Sequence, residues 1–349
     1  MPKKSIFKKR GFWLTITAIF ALIILVGGYF YNKITNTRIS VAQGNSTLFY
    51  IAKNETYTDV LEHLTQQGIV SDYSLFDFLA QRANYPNKVK AGRYRLKKGE
   101  TYINVIRQLR SGKQEEVKLV INAMITPTQL AAIVGKNLAA DSIVLINMLE
   151  DSSYLEGYGF NKYNALCMFI PNTYNFYWDT DAQQFMMRMK KEYNRFWTKK
   201  RLIQADAIGL TPIEVGILAS IVDGETNKTD EMSIVAGLYL NRLNKGIMLQ
   251  ADPTVKFALR NSAKQRVYEA DLKVESPYNT YLHTGLPPGP LALPSQQAIE
   301  AVLSPSKHDY IYMCAKEDLS GYHNFATTLT QHNLNAARYR LALDKLGIR

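Results

Sequence analysis

The longest apolar stretch of the chain lies near its start. GFWLTITAIFALIILVGGYFY, residues 11–31, carries no charge across 21 positions. At about 1.5 Å per helical residue it spans about 30 Å, the thickness of a bilayer's hydrocarbon. Trp13 sits near one end and Tyr29 and Tyr31 near the other, where an aromatic belt belongs. The run is long for a signal peptide and ends without a small-x-small cleavage site, so the pattern predicts a retained transmembrane anchor. The basic flank MPKKSIFKKR, residues 1–10, should stay in the cytoplasm and leave the rest of the chain outside. Residues 32–45 read as a stalk.

Residues 46–122 then alternate between strand and helix patterns. LFYIAK (48–53), KAGRYRLKKGET (90–101, a strand and a Lys-Gly turn) and EEVKLVI (115–121) are strand-like. TDVLEHLTQQG (58–68), SLFDFLAQRA (74–83) and TYINVIRQLRSG (101–112) are helix-like. The last places Ile103, Ile106 and Leu109 on one face, with Gly112 as a stop. A strand, a turn and then a Thr-led helix have the look of a LysM-like glycan-binding module; an α+β spacer would read the same. Residues 123–200 are mostly helical, opening with MITPTQLAAIVGKNL (124–138) and closing with YNRFWTKKRL (193–202). CMFIPNTYNFYWDT, 167–180, interrupts them as an aromatic loop with a Pro-Asn turn. Its rings serve either packing or the stacking of sugars. Residues 201–349 form the compact remainder. The predicted fold class is α+β: one transmembrane helix, a small LysM-like α+β domain, then a mixed α+β domain.

TPIEVGILASIVDGET, 211–226, reads as a well-capped helix. Thr211 is the N-cap, Pro212 the first helical residue and Glu214 the third, which makes a capping box. Ile213, Ile217, Leu218, Ile221 and Val222 form an apolar stripe. Four residues past Ile221 the stripe reaches Glu225, whereas Asp223 lies roughly 200° away around the helix and should point outward. Gly224 is expected to loosen the last turn. A carboxyl on an apolar face at a helix C-terminus keeps its proton to higher pH. A general acid needs that property, although a Glu bonded to a neighbouring backbone or Arg would show the same pattern.

The following segment, 230–259, predicts a second helix with Asp230 as N-cap and a stop at Gly246. After it comes the polar turn LQADPT, with Gln250, Asp252 and Thr254. ESPYNTYLHTGLPPGPLALP, 275–294, then places Tyr278, Asn279, Thr280, Tyr281 and His283 before a rigid Pro-Pro-Gly turn. Stiff polar loops of this kind suit a polyhydroxylated ligand.

Composition narrows the picture. With 349 residues, 46% hydrophobic and 21% charged, the chain is globular and long enough for two or three domains. Its net charge of +12 points to an anionic partner. The bases are spread out and lack interleaved aromatics beyond the N-terminus, and the predicted export topology also argues against nucleic acid. Cys167 and Cys314 sit in apolar runs and predict buried free thiols, with a disulfide between them left open. No Cys-x-x-Cys or His-Glu-x-x-His spacing occurs, so neither a metal nor another cofactor is expected.

ASIVDGET, NRLNKGIMLQADPT, YNTYLHTGLPPGP and HNFATTLTQHN, in this order, resemble the endolytic murein transglycosylase (YceG-like) family. AGRYRLKKGET and FIPNTY add weaker matches. With the anchor, the resemblance covers nearly the whole chain. It implies a single-pass enzyme of the bacterial inner membrane, N-terminus inside, with 201–349 as a catalytic domain on the outer side and 123–200 as its connecting region. It implies cleavage of the bond between N-acetylmuramic acid and N-acetylglucosamine to give 1,6-anhydro ends. Glu225 falls on the family's catalytic glutamate. Asp223 stands where a Glu is commoner and is assigned a supporting role; Asn172 stands where many relatives have Asp and is assigned none. Gln250, Asp252, Thr254, Tyr278, Asn279, Thr280 and Tyr281 are the expected substrate-binding residues. Asn241, Arg242, His323 and His332 are expected to support them, with Asn324 and Asn333 beside the histidines. Glycan strands, the membrane and peptidoglycan synthases are the implied partners. Two other readings stay open: a two-carboxylate glycan hydrolase using Asp223 or Asp252, and a non-catalytic peptidoglycan-binding scaffold.

Overall fold

The computed structural model describes residues 5–261, 267–345 and 347. Lys3 and Lys4 of the basic tail lie outside the described residues. The chain divides into two compact units, one of residues 1–117 and 176–179, the other of residues 118–175 and 180–349.

The first unit begins with helix α1, Ser5–Asn36. Its stretch Phe12–Asn36 is long and apolar enough to cross a membrane, with a mean hydropathy of 2.1. There follow β1 (Ser46–Ile51), α2 (Tyr57–Gln66), α3 (Tyr73–Arg82), β2 (Gly92–Lys97) and α4 (Tyr102–Ser111). β1 and β2 pair antiparallel from Ser46 opposite Lys97 to Ile51 opposite Gly92. Thr56, Asp72 and Thr101 cap the three short helices with side-chain oxygens, as short helices require. The core joins Phe49, Ile51, Leu64, Phe76, Tyr94 and Leu96. On α4 the buried face is Tyr102, Val105, Ile106 and Leu109, so Ile103 lies at its edge.

Residues 32–45 are not a free stalk. α1 runs five residues into them, and Ile39 and Val41 are buried in the unit's core. The Ile39 N–H donates to Glu100 O at 2.8 Å and the Ser40 N–H to Ile69 O at 3.0 Å. Two branched apolar residues among polar neighbours hold the chain down.

The second unit contains β3 (Val117–Ile121, entering from the first), α5 (Pro127–Asn137), α6 (Ser142–Glu150), α7 (Ser152–Glu156), β4 (Asn172–Phe176), α8 (Ala182–Phe196), α9 (Lys199–Ala207) and α10 (Pro212–Glu225). It continues with α11 (Met232–Asn244), α12 (Asp252–Ala258), α13 (Gln296–Leu303), β5 (Tyr312–Ala315), β6 (His323–Ala326) and α14 (Leu329–Lys345). Residues 123–200, apart from 176–179, and residues 201–349 lie together in this unit. The aromatic loop contains a strand, because Tyr174 and Phe176 alternate inward and let β4 pair with β3. β5 and β6 pair antiparallel, Tyr312 opposite Ala326.

α10 is the centre of this unit. The expected capping box is present, with Glu214 N donating to Thr211 Oγ1 and Thr211 N to Glu214 Oε2. From Val215 to Asp223 every residue is buried, so the helix is enclosed all round rather than along one stripe. α11, α12 and α13 pack against it. α11 starts at Met232 without a side-chain cap, so Asp230 is not its N-cap; the Asp230 carboxylate instead accepts from the Tyr322 hydroxyl at 3.2 Å. LQADPT is a turn only up to Ala251, and its Asp252 and Pro253 open α12.

Gly237 lets the segment before β5 lie against α11. A Cβ there would stand 2.5 Å from Ser306 O. Gly237→Ala should therefore lower stability by about 1–3 kcal/mol through forced separation of the two, measured by chemical denaturation.

Candidate active site

The second unit holds an open cavity of about 1000 Å³. α10 contributes Glu225, α11 contributes Tyr239 and Arg242, and the loop into α12 contributes Gln250 and Asp252. Tyr281, the β5 residues Tyr312 to Ala315, His323 and one face of α14 complete the wall.

Glu225 is the last residue of α10 and is partly buried. The Tyr239 hydroxyl donates to its Oε1. Burial pushes its carboxyl up to about 7; the Tyr239 bond opposes the rise, the Asp252 charge adds to it, and Lys256 opposes it. Burial, the Glu225 charge and the bond to it raise Tyr239 well above an ordinary phenol, so this hydroxyl stays a donor. Gly224 does not loosen the helix, which stays regular through Glu225. A Cβ at Gly224 would lie 2.8 Å from Pro253 Cβ, so the glycine admits the start of α12 and brings Asp252 beside Glu225.

Asp223 does not point outward. It is buried, and its two oxygens accept from Ser295 N and Ser295 Oγ, both at 2.6 Å. Ser295 caps α13, so Asp223 fastens α13 to α10. Burial raises its pKa, and the two Ser295 bonds counter the rise. Asp223 does not line the cavity.

The expected binding residues divide by position. Gln250, Asp252 and Tyr281 line the cavity. Thr254, Asn279 and Thr280 are buried behind the wall. The Thr254 and Thr280 hydroxyls are 2.8 Å apart, and Ala251 N donates to Thr280 Oγ1 at 3.0 Å. Asn279 Nδ2 donates to Leu272 O at 2.9 Å and to Val274 O at 2.8 Å. These bonds lock the two polar loops together. The outcome is Tyr281 Oη donating to Asp252 Oδ1 at 2.6 Å. Tyr278 packs against Phe257 with ring centres 4.5 Å apart and planes tilted by 42°, and lies outside the cavity lining. Gln250 is held at φ 51, a left-handed conformation that costs energy for a residue with a Cβ.

The supporting residues brace this wall. Asn241 Nδ2 donates to His308 O at 2.7 Å and Tyr310 O at 3.0 Å. Buried Arg242 donates to Ile311 O at 2.6 Å, Met248 O at 2.8 Å, Leu249 O at 2.9 Å and Gln250 Oε1 at 3.1 Å. Both belong to the last turns of α11. His323 Nδ1 lies 2.8 Å from Oε2 of buried Glu231. Asn324 Nδ2 donates to Glu317 Oε2 at 2.6 Å. His332 lies in the wall with its ring stacked on Tyr312.

Both cysteines are free thiols. Cys167 is buried as expected, but Cys314 is half-buried, since β5 turns it toward the cavity. Sequence reasoning missed Tyr239, hidden as one ring in an apolar helix, and Glu231. Among the described residues no group of three His, Cys, Asp or Glu side chains could hold a metal ion.

Comparison with known proteins agrees in one direction. The model of the YceG-like family matches residues 49–338. The endolytic murein transglycosylase of Bacillus subtilis is 27% identical over 334 residues, covering 91% of each chain. That of Streptococcus pneumoniae serotype 2 is 25% identical, over 92% of this chain and 64% of the pneumococcal one. A crystal structure of a YceG-like protein from Listeria monocytogenes superposes with a TM-score of 0.54 at 28% identity, over 84% of this chain and 99% of that one.

A carboxyl whose folded pKa exceeds its unfolded value weakens the fold as pH rises between the two. For Glu225 that window runs from 4.5 to about 7. Glu225→Gln cannot ionise, yet its amide oxygen still accepts from Tyr239. Thermal melts should show the variant gaining on wild type from pH 4.5 upward, with the gain complete above about pH 7. A difference independent of pH would remove the argument for a desolvated acid.

Proposed function

This chain belongs to the YceG-like family, and from that premise we propose that it is a membrane-anchored lytic transglycosylase, a lyase acting on peptidoglycan. It cleaves within glycan strands between N-acetylmuramic acid and N-acetylglucosamine, and leaves 1,6-anhydro-muramoyl ends. The observation that carries this reading is the Glu225 carboxyl, set in the wall of a large cavity lined by polar and apolar side chains alike and keeping its proton up to about pH 7.

One carboxyl suffices for both proton transfers. Protonated Glu225 donates to the glycosidic oxygen as that bond breaks and an oxocarbenium-like centre forms. The resulting carboxylate then takes the proton of the muramoyl C6 hydroxyl. The C6 oxygen attacks C1, closing the anhydro ring and returning Glu225 to its acid form. No water is consumed. The nucleophile belongs to the substrate, so the step has an intramolecular advantage. Tyr239 stabilises the carboxylate between the two transfers. Asp252, aligned by Tyr281, places negative charge where the oxocarbenium develops.

α1 serves as the anchor, with the N-terminus in the cytoplasm and the folded units beyond the inner membrane. The first unit is a LysM-like glycan-binding module, a reading supported by two antiparallel strands with α2 and α3 between them. Peptidoglycan synthases, which supply nascent strands, are the fitting protein partners.

The test uses full-length protein in detergent with uncrosslinked peptidoglycan strands, read by mass spectrometry. Wild type should yield internal fragments with 1,6-anhydro ends, and Glu225→Gln should yield fewer by a factor of about 10² or more. Reducing ends would instead assign a hydrolase, with Asp252 as the second carboxylate. Glycan binding without cleavage would assign a scaffold. Since the acid form is the starting form, the wild-type rate should fall about tenfold per pH unit above the Glu225 pKa. A rate that rises through this range would remove Glu225 as the acid.

A further inference from the structure

The last helix, α14, packs against β5 and β6, yet of its described residues Asn335 is the buried one. Leu329, His332, Ala336, Tyr339, Arg340 and Leu343 line the cavity that holds Glu225. Their spacing of three and four places them along one side of the helix. A side that an ordinary fold would bury thus forms a wall of the cavity.

Two polar groups on it have chemistry to spare. His332 Nδ1 is buried without a hydrogen-bond partner, although its ring is fixed on Tyr312 at 5.3 Å. Burial, and after it the Arg242 charge, hold His332 below the ordinary imidazole range, so near neutral pH it is a neutral hydrogen-bonding group. Arg340 is exposed and has no hydrogen bond or ion pair among the described residues, Asp344 one turn on included. Arg338, by contrast, is tied to Glu317 at 3.6 Å and to the Asn335 amide oxygen. Eight residues separate His332 from Arg340, about 12 Å along the axis, which is too far for one small anion to bridge. The same cavity receives the acids Glu225 and Asp252. Glu225 holds its proton and repels nothing, so an anionic ligand is turned away by Asp252 and drawn to Arg340, and the charges set its direction.

We propose that the cavity face of α14 binds the acidic peptide stem of the muramoyl residue being cleaved: His332 Nδ1 hydrogen-bonds an amide of the stem close to the sugar, and Arg340 pairs with a stem carboxylate further out. This rests on the transglycosylase reading and adds to it the part of the substrate that the enzyme selects. An extended ligand with amides and outlying carboxylates matches a span of this length better than a bare glycan, whose only charges are lactyl carboxylates held at the sugar.

The test compares two substrates with the full-length protein: glycan strands that keep their stems and strands stripped of them by an amidase. Arg340→Ala should lower kcat/KM on stem-bearing strands about tenfold, the usual scale for one charged hydrogen bond, mainly through KM. It should leave the stripped strands within about twofold of wild type, and Arg340→Lys should recover part of the loss. His332→Ala should weaken activity on both substrates, because its ring also braces Tyr312 in the wall, and on stem-bearing strands the more. Equal loss on both substrates, or no loss on either, overturns the stem site while leaving the transglycosylase reading in place. If wild type releases anhydro ends from neither substrate, the transglycosylase reading fails and the stem site falls with it.

Discussion

The protonation of Glu225 depends on a balance between desolvation and one hydrogen bond. Removal from water favours the neutral acid. The Tyr239 hydroxyl favours the carboxylate. Neither influence alone would place the group near neutrality. The balance requires α10 and α11 to hold their register, because one hydroxyl must meet one carboxyl at the end of a helix. Asp223 on Ser295, Asn241 on the carbonyls before β5, and Arg242 on the loop before α12 all serve that register. Asp223 and Arg242 are buried and Asn241 partly so, and each holds two or more hydrogen bonds, so loss of any would leave costly unpaired atoms.

The polar loops illustrate a division of labour. Thr254, Asn279 and Thr280 spend their hydrogen bonds on one another and on the backbone. Asp252, Gln250 and Tyr281 face the cavity because the first three hold still. Side chains held in place in advance lose little freedom when a ligand arrives. The strained backbone of Gln250 fits the same pattern: surrounding bonds hold a conformation that the free loop would abandon.

Local signals in the sequence were strong where local physics decides. The Thr211 capping box, the membrane-length apolar run and the Glu225 position all follow from spacing within a few turns. Asp223 was misjudged because one helix's stripe says nothing about how many neighbours enclose it; α13 covers the side that looked free. The anchoring of residues 39–41 is not legible in the sequence, because Ile39 and Val41 are too short a signal to predict burial. Substrate contacts were harder still. Thr254, Asn279 and Tyr281 share the polarity of a binding residue, and long-range packing alone separates the wall from its supports. Tyr239 was invisible for the same reason, since a tyrosine in an apolar helix usually marks core.

The fastening of residues 39–41 into the first unit changes how an anchored enzyme samples its surroundings. A flexible tether of fourteen residues would let its ends wander over about 20 Å. Here Lys33 pairs with Asp72 at 2.8 Å, and the backbone at Ile39 and Ser40 is stitched to the unit. The anchor helix and the first unit therefore share one short joint. For a chain held by α1, the local concentration of that unit at the bilayer is set by geometry rather than by diffusion on a leash. On the proposed reading of α1 as the anchor and of the first unit as a glycan-binding module, glycan emerging close to the membrane is met at high effective concentration and glycan deep in the wall is out of range.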